Sequence, residues 1–160
     1  MVKVFVGVIF IAISTVLGKK ITSKYLLKLK YYESLKRFNL HLKQNLMYKR
    51  DNLLDLLNFS CENQEFLATI SSFKLNLYSE TSRDEVYLPY WVDEEDKRFL
   101  NDYFNSLGKN NLDAEVEFVS AEQVIIDEKV KIIADNSSRF SNLGQKLGFS
   151  LGMVVFIIIL

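Results

Sequence analysis

The sequence carries one cysteine, one proline, one histidine and one tryptophan in 160 residues. The lone Cys61 excludes an intramolecular disulfide and any metal site built on cysteine pairs. It reads as a structural thiol. The lone Pro89 and only six glycines leave most of the chain free to be helical. There is no glycine-rich phosphate loop of either common type. Neither charge sign dominates, with 20 basic and 20 acidic side chains, so there is no electrostatic footprint for nucleic acid. His41 lies between Leu40 and Leu42 with no nucleophile pattern beside it. It reads as a surface or core residue rather than a catalytic base. No cofactor site is expected, and an enzyme is not expected, because no set of nucleophile, base and orienting group can be assembled.

What is present is apolar content gathered at the two ends. Val4 to Leu17 is apolar, preceded by Lys3 and followed by Gly18-Lys19-Lys20. Spanning a bilayer takes roughly 20 apolar residues, with a lower limit of about 17. The run reaches that limit when Met1, Val2 and a snorkelling Lys3 are counted. The rival reading, a cleaved signal peptide, needs a basic n-region and a small-x-small cleavage triplet. One lysine and Ile13-Ser14-Thr15-Val16-Leu17 fit that poorly. The second run extends from Leu143 through Leu160. A buried terminal strand is the competing reading, but the run is longer than a typical strand and has no turn signal. Two transmembrane helices, 1–18 and 141–160, are therefore expected, with a domain between them at 19–140.

The flanking cations set the orientation. Lys19, Lys20, Lys24, Lys28 and Lys30 crowd the inner flank of the first run, and Lys131, Arg139 and Lys146 precede the second. Cations stay on the cytoplasmic side, so the middle domain should face cytoplasm. Within the membrane runs, Gly144, Gly148 and Gly152 recur every four residues, and Ser14 and Gly18 repeat that spacing. Small residues so placed let membrane helices approach closely, so these five are candidate helix-packing positions.

The middle domain reads as all-α. A long helix over 19–49 has Leu26, Leu29, Tyr32, Leu35, Leu42 and Leu46 on one stripe. Asp51 or Asn52 can cap a short helix holding Leu53 to Leu57. Asn63 to Leu77 is a third helix, with Phe66, Leu67, Ile70, Phe73 and Leu77 inward. Residues 78–92 read as the main loop, since Pro89 forbids a helix interior nearby. Asp93 opens a helix whose first turn holds Glu94, Glu95 and Asp96, favoured there by the positive end of the dipole. That acidic group lacks the alternating spacing of a calcium loop. Phe99, Leu100, Tyr103, Phe104 and Leu107 form the buried side, and Gly108 stops the helix. Asn110, Asn111 or Asp113 caps the last helix, although its β-branched residues leave a strand near 123–133 open.

The stretch Leu107-Gly108-Lys109-Asn110-Asn111-Leu112-Asp113, a charged helix, then Phe140-Ser141-Asn142-Leu143-Gly144-Gln145-Lys146-Leu147-Gly148 and an apolar tail resembles the stage III sporulation protein AB family. The segments Ile13 to Gly18 and Leu46-Met47-Tyr48 are similar to its pattern as well. Asn110-Asn111 stands where the family usually has Ser-Asp, and Glu115 where it has glutamine. The resemblance implies a helical domain like the cytoplasmic domains of the type II secretion F component. It implies a non-enzymatic platform subunit in a mother-cell membrane facing the forespore. The expected partners are a secretion-type ATPase, other stage III sporulation channel subunits and further copies of the chain. Gly108, Asn110, Asn111 and Asp113 become a candidate partner interface. The alternative is a membrane-tethered regulator that binds a peptide or anionic lipid through the basic helix of residues 19–50.

Overall fold

In a computed structural model the backbone is described for residues 2–48, 53–78 and 85–159. Side chains are described mainly over 23–47, 56–78 and 85–139. The described chain is helical, with four long helices and a single turn, and no strand occurs among the described residues. The elements are α1 (Val2–Tyr48), α2 (Leu53–Leu56), α3 (Gln64–Tyr78), α4 (Glu94–Ser106) and α5 (Leu112–Ile159). The region 123–133, open to a strand on propensity, is helix, and so is the C-terminal run through Ile159. The Asp51 or Asn52 cap lies outside the described residues.

The chain divides into two compact units, residues 30–130 and residues 1–29 with 131–160. The boundaries expected at 18/19 and 140/141 mark a change of hydropathy, whereas these mark where tertiary contact changes. α1 and α5 each carry on without a break through the expected boundaries.

In the unit of residues 30–130, α1 contributes Tyr31, Tyr32, Leu35, Phe38, Leu42 and Leu46 to a core they share with Phe66, Ile70, Phe73, Leu100, Tyr103, Phe104, Val119 and Ile126. Much of the filling is aromatic. Tyr31 meets Phe66 edge-on at 5.2 Å and Trp91 at 5.4 Å, while Phe73 and Phe104 lie 5.2 Å apart. Edge-on contacts of this kind add about 0.5–1.5 kcal/mol each beyond area burial. Leu26, expected on the same buried stripe, is exposed and Leu29 is half-buried, because the aromatic packing runs only along 31–46. Leu67, Leu77 and Phe99 are likewise only half-buried.

The caps follow the sequence closely. Asn63 Oδ1 accepts from Phe66 N at the start of α3, 3.1 Å, and Asp93 Oδ1 accepts from Asp96 N at the start of α4, 2.9 Å. Asn111 is the cap of α5, its Oδ1 accepting from Ala114 N at 3.0 Å. Each satisfies a backbone donor that the first turn leaves open. The loop between α3 and α4 is pinned by buried Val86, Pro89 and Val92, with a turn closed by Val92 N to Pro89 O at 3.1 Å.

The unit of residues 1–29 and 131–160 is helical. Ile133 and Ser137 are buried in it. The described apolar side chains near the chain ends, Ile13, Val16, Met153, Val154 and Ile157, are exposed. Among the described residues no helix is long and apolar enough to cross a membrane. Most side chains of the expected spans 1–18 and 141–160 lie outside the described residues.

Candidate functional site

The polar chemistry of the central unit is concentrated where α1, α4 and α5 meet. Asp96 illustrates how. Its position is four residues before Leu100, which carries it from the acidic first turn onto the apolar face of α4. It is only 4% exposed, unlike Glu94 and Glu95 beside it. Tyr32, fully buried on α1, donates its phenolic hydrogen to Asp96 Oδ1 at 2.6 Å. Lys129 on α5 reaches the same oxygen at 3.4 Å and lies 4.8 Å over the Phe99 ring. The reading of residues 93–96 as purely dipole-favoured anions is thus corrected at Asp96, which joins three helices.

A second cluster lies further along the same helices. Asn39 is fully buried, and both its amide hydrogens and its oxygen are engaged. Tyr103 donates to Asn39 Oδ1 at 2.8 Å, and Asn39 Nδ2 donates to Val119 O and to Gln123 Oε1, both at 2.9 Å. Gln123 passes the chain on to Asp127 at 3.0 Å, and Asp127 pairs with Lys36 at 2.9 Å. The series runs from the core to the surface. A fully satisfied buried amide fixes the axial alignment of its helices, since any slip leaves it unpaired.

The buried phenols among these groups are shifted upward. Burial and the Asp96 carboxylate push the Tyr32 phenol far above its ordinary range. Burial pushes up Tyr31, which shares a hydrogen with Thr69 at 2.9 Å, and Tyr103. A phenol held that high stays protonated at any physiological pH. Burial also raises the Glu122 carboxyl, whose Oε2 is shielded from solvent and has no hydrogen-bond partner among the described residues. His41 packs against Phe59 at 5.5 Å, and the half-buried Cys61 donates weakly to Asn63 O at 3.6 Å. No cluster of three His, Cys, Asp or Glu side chains suited to a metal occurs among the described residues.

Of the expected partner interface, Gly108, Asn110 and Asn111 lie in the connector between α4 and α5 and Asp113 in the first turn of α5, and all four residues are exposed. Gly108 has φ +76°, a conformation that favours glycine, and a Cβ there would run into Leu53 Cδ2. The connector is shaped by Glu115, 4% exposed, which sequence reading treated only as a departure from the family pattern. Its Oε1 accepts from Gly108 N at 2.8 Å and its Oε2 from Asn110 Nδ2 at 3.3 Å. With Asn111 spent on the cap, Asp113 is the member of the four whose side chain no hydrogen bond among the described residues engages. The five helix-packing candidates, Ser14, Gly18, Gly144, Gly148 and Gly152, fall on helical backbone, and their surroundings lie outside the described residues.

No family model matches the chain, and no curated protein or solved structure matches it either.

Proposed function

We propose that the chain is a membrane platform subunit that works by holding other proteins rather than by catalysis. The observation that carries this reading is the exposure of Ile13, Val16, Met153, Val154 and Ile157 at the two chain ends. These side chains sit inside long, mostly apolar runs, and an apolar surface of that extent calls for a bilayer or another apolar partner. Counted from the sequence, the run around Ile13 and Val16 reaches the length a span requires when Met1, Val2 and a snorkelling Lys3 are included, and the run around Met153 to Ile157 extends back to Leu143 with Gln145 and Lys146 near its start. Two anchors fix a helical domain close to the cytoplasmic membrane face. The stretch Gly108 to Asp113, the connector and the start of α5, offers it a preorganised, solvent-facing contact. The resemblance to the stage III sporulation protein AB family supports the same role and suggests the partners, a secretion-type ATPase and further channel subunits.

The test is solubilisation and capture of the full-length chain from its native membranes. The proposal expects it to resist alkaline carbonate extraction and to bring the ATPase with it after mild detergent. Full release by carbonate would contradict it. The lipid-binding alternative rests on the exposed cations Lys24, Lys30 and Arg37 of α1. It predicts instead salt-sensitive binding to anionic vesicles with no protein partner retained.

A further inference from the structure

Two exposed stripes in the unit of residues 30–130 have no role in its core. On α1, Arg37, Leu40 and Gln44 face solvent, and on α5, Ala121, Val124 and Glu128 do. Val124 is 68% exposed, and a β-branched residue there neither favours the helix nor fills the core. Neither Arg37 nor Glu128 has an ion pair among the described residues.

The packing of α1 on α5 places both stripes on one side. The helices run antiparallel, since Lys36 pairs with Asp127 and Asn39 with Gln123. Each residue turns a helix by about 100°. Counted from Lys36, Arg37, Leu40 and Gln44 lie about 40–100° round α1. Counted from Asp127, Ala121, Val124 and Glu128 lie about 60–120° round α5. Lys36 and Asp127 meet across the solvent edge of the seam, and in antiparallel neighbours equal rotations from such a pair lead to the same side. The result is a two-helix face with a basic, apolar half on α1 and an acidic, apolar half on α5.

We infer that this face binds the same face of a second copy, with a two-fold axis parallel to the helices. Such an axis lays α1 of each copy over α5 of its partner and keeps every residue at its own height. The pairing Lys36–Asp127 therefore sets the register between copies as well as within one. It puts Arg37 within a turn of the partner's Glu128 and Leu40 at the height of the partner's Val124. Gln44 then comes within a turn of the partner's Ala121. Opposite charges meet and the apolar centres coincide. Sliding by one turn in one direction sets Glu33 against Glu128. Sliding in the other sets Leu40 against Glu128. Like charges or an apolar group facing charge disfavour both slips, which gives the register its specificity. The contact is isologous and closes as a dimer. It does not rest on the membrane reading, because every residue in it belongs to the central unit.

The test uses full-length chains carrying Cys61→Ser and one new cysteine, either Gln44→Cys or Ala121→Cys. Mixed copies treated with a short bis-maleimide should cross-link between the two variants, well above a Gln44→Cys and Leu75→Cys control mixture. Adding Arg37→Glu to both copies, or Glu128→Arg to both, should lower the yield about fivefold or more, and the two reversals together should restore it. Cross-linking no greater than the control overturns the inference. So does a yield indifferent to both charge reversals. Either result leaves membrane anchoring untouched, and carbonate extraction of the same samples reads that separately.

Discussion

Tyr32 on α1 and Asp96 on α4, 64 residues apart in sequence, share a hydrogen bond of 2.6 Å in the core of the central unit. It ties the first long helix to the helix that opens with four acidic residues. A phenol donating to a carboxylate out of water is worth more than a neutral pair. Replacing Tyr32 by Phe should cost about 1.5–3 kcal/mol, because the Asp96 oxygen loses its best donor. Combining Tyr32→Phe with Asp96→Asn should cost less than the two changes summed. Denaturant unfolding of the four variants would measure that coupling.

The connector between α4 and α5 yields a second expectation. Gly108 takes φ +76° and faces Leu53, so Gly108→Ala should destabilise by about 1–2 kcal/mol, most of it from the left-handed backbone. Glu115→Gln keeps one acceptor oxygen for Gly108 N and should be tolerated far better than Glu115→Ala. The alanine variant would leave both the Gly108 amide and Asn110 without their partner, at about 1–3 kcal/mol. Thermal unfolding ranks the three.

The buried phenols set the alkaline behaviour. In the folded chain Tyr31, Tyr32 and Tyr103 are all raised above their ordinary value of 10.0, chiefly by burial. Once unfolded, they ionise near that value and bind fewer protons than the folded state. Their contribution is therefore complete below about pH 10 and is lost as pH rises beyond it. Unfolding midpoints should fall steeply above pH 10, and Tyr103→Phe should make the fall shallower. Glu122 has the same sign at a lower pH. Its raised carboxyl favours the folded state when protonated, so Glu122→Gln should leave the protein slightly more stable at pH 7.

The glycine face of the C-terminal run gives a prediction for the membrane itself. If Gly144, Gly148 and Gly152 pack against another helix, Gly148→Leu should weaken association in bilayers without releasing the chain from them. Energy transfer between donor- and acceptor-labelled copies in vesicles, read beside flotation, separates the two effects.

Much of the fold was legible because its signals are local. Asp93 caps α4 where the acidic first turn places it, Asn111 is the one of three candidates that caps α5, and Asn63, expected as the first residue of its helix, is the cap of α3. Gly108 ends α4 region as its lack of a Cβ suggests. What stayed hidden depends on which neighbours arrive. Asp96 looks like any first-turn acid until its spacing from Leu100 is noted, and only the arrival of α1 supplies Tyr32. Asn39 falls four residues from Leu35 on the buried stripe, yet nothing local names Tyr103 and Gln123 as its partners. Val124, Ile125 and Ile126 are alike in residue type, yet the helix turns the first two outward and buries Gln123 and Ile126. The connector's shape was hidden for the same reason, since Glu115 acts back on residues that precede it.

The account stands on both chain ends lying in one bilayer with the central helices on the cytoplasmic side. The direct measurement is labelling of intact cells with a membrane-impermeant maleimide, using full-length chains with Cys61→Ser and a single cysteine at Lys3 or at Glu95. The account predicts labelling at position 3 and protection at position 95 until the membrane is permeabilised. Labelling at position 95 in intact cells, or protection at both positions with the chain recovered free of the membrane fraction, would contradict it.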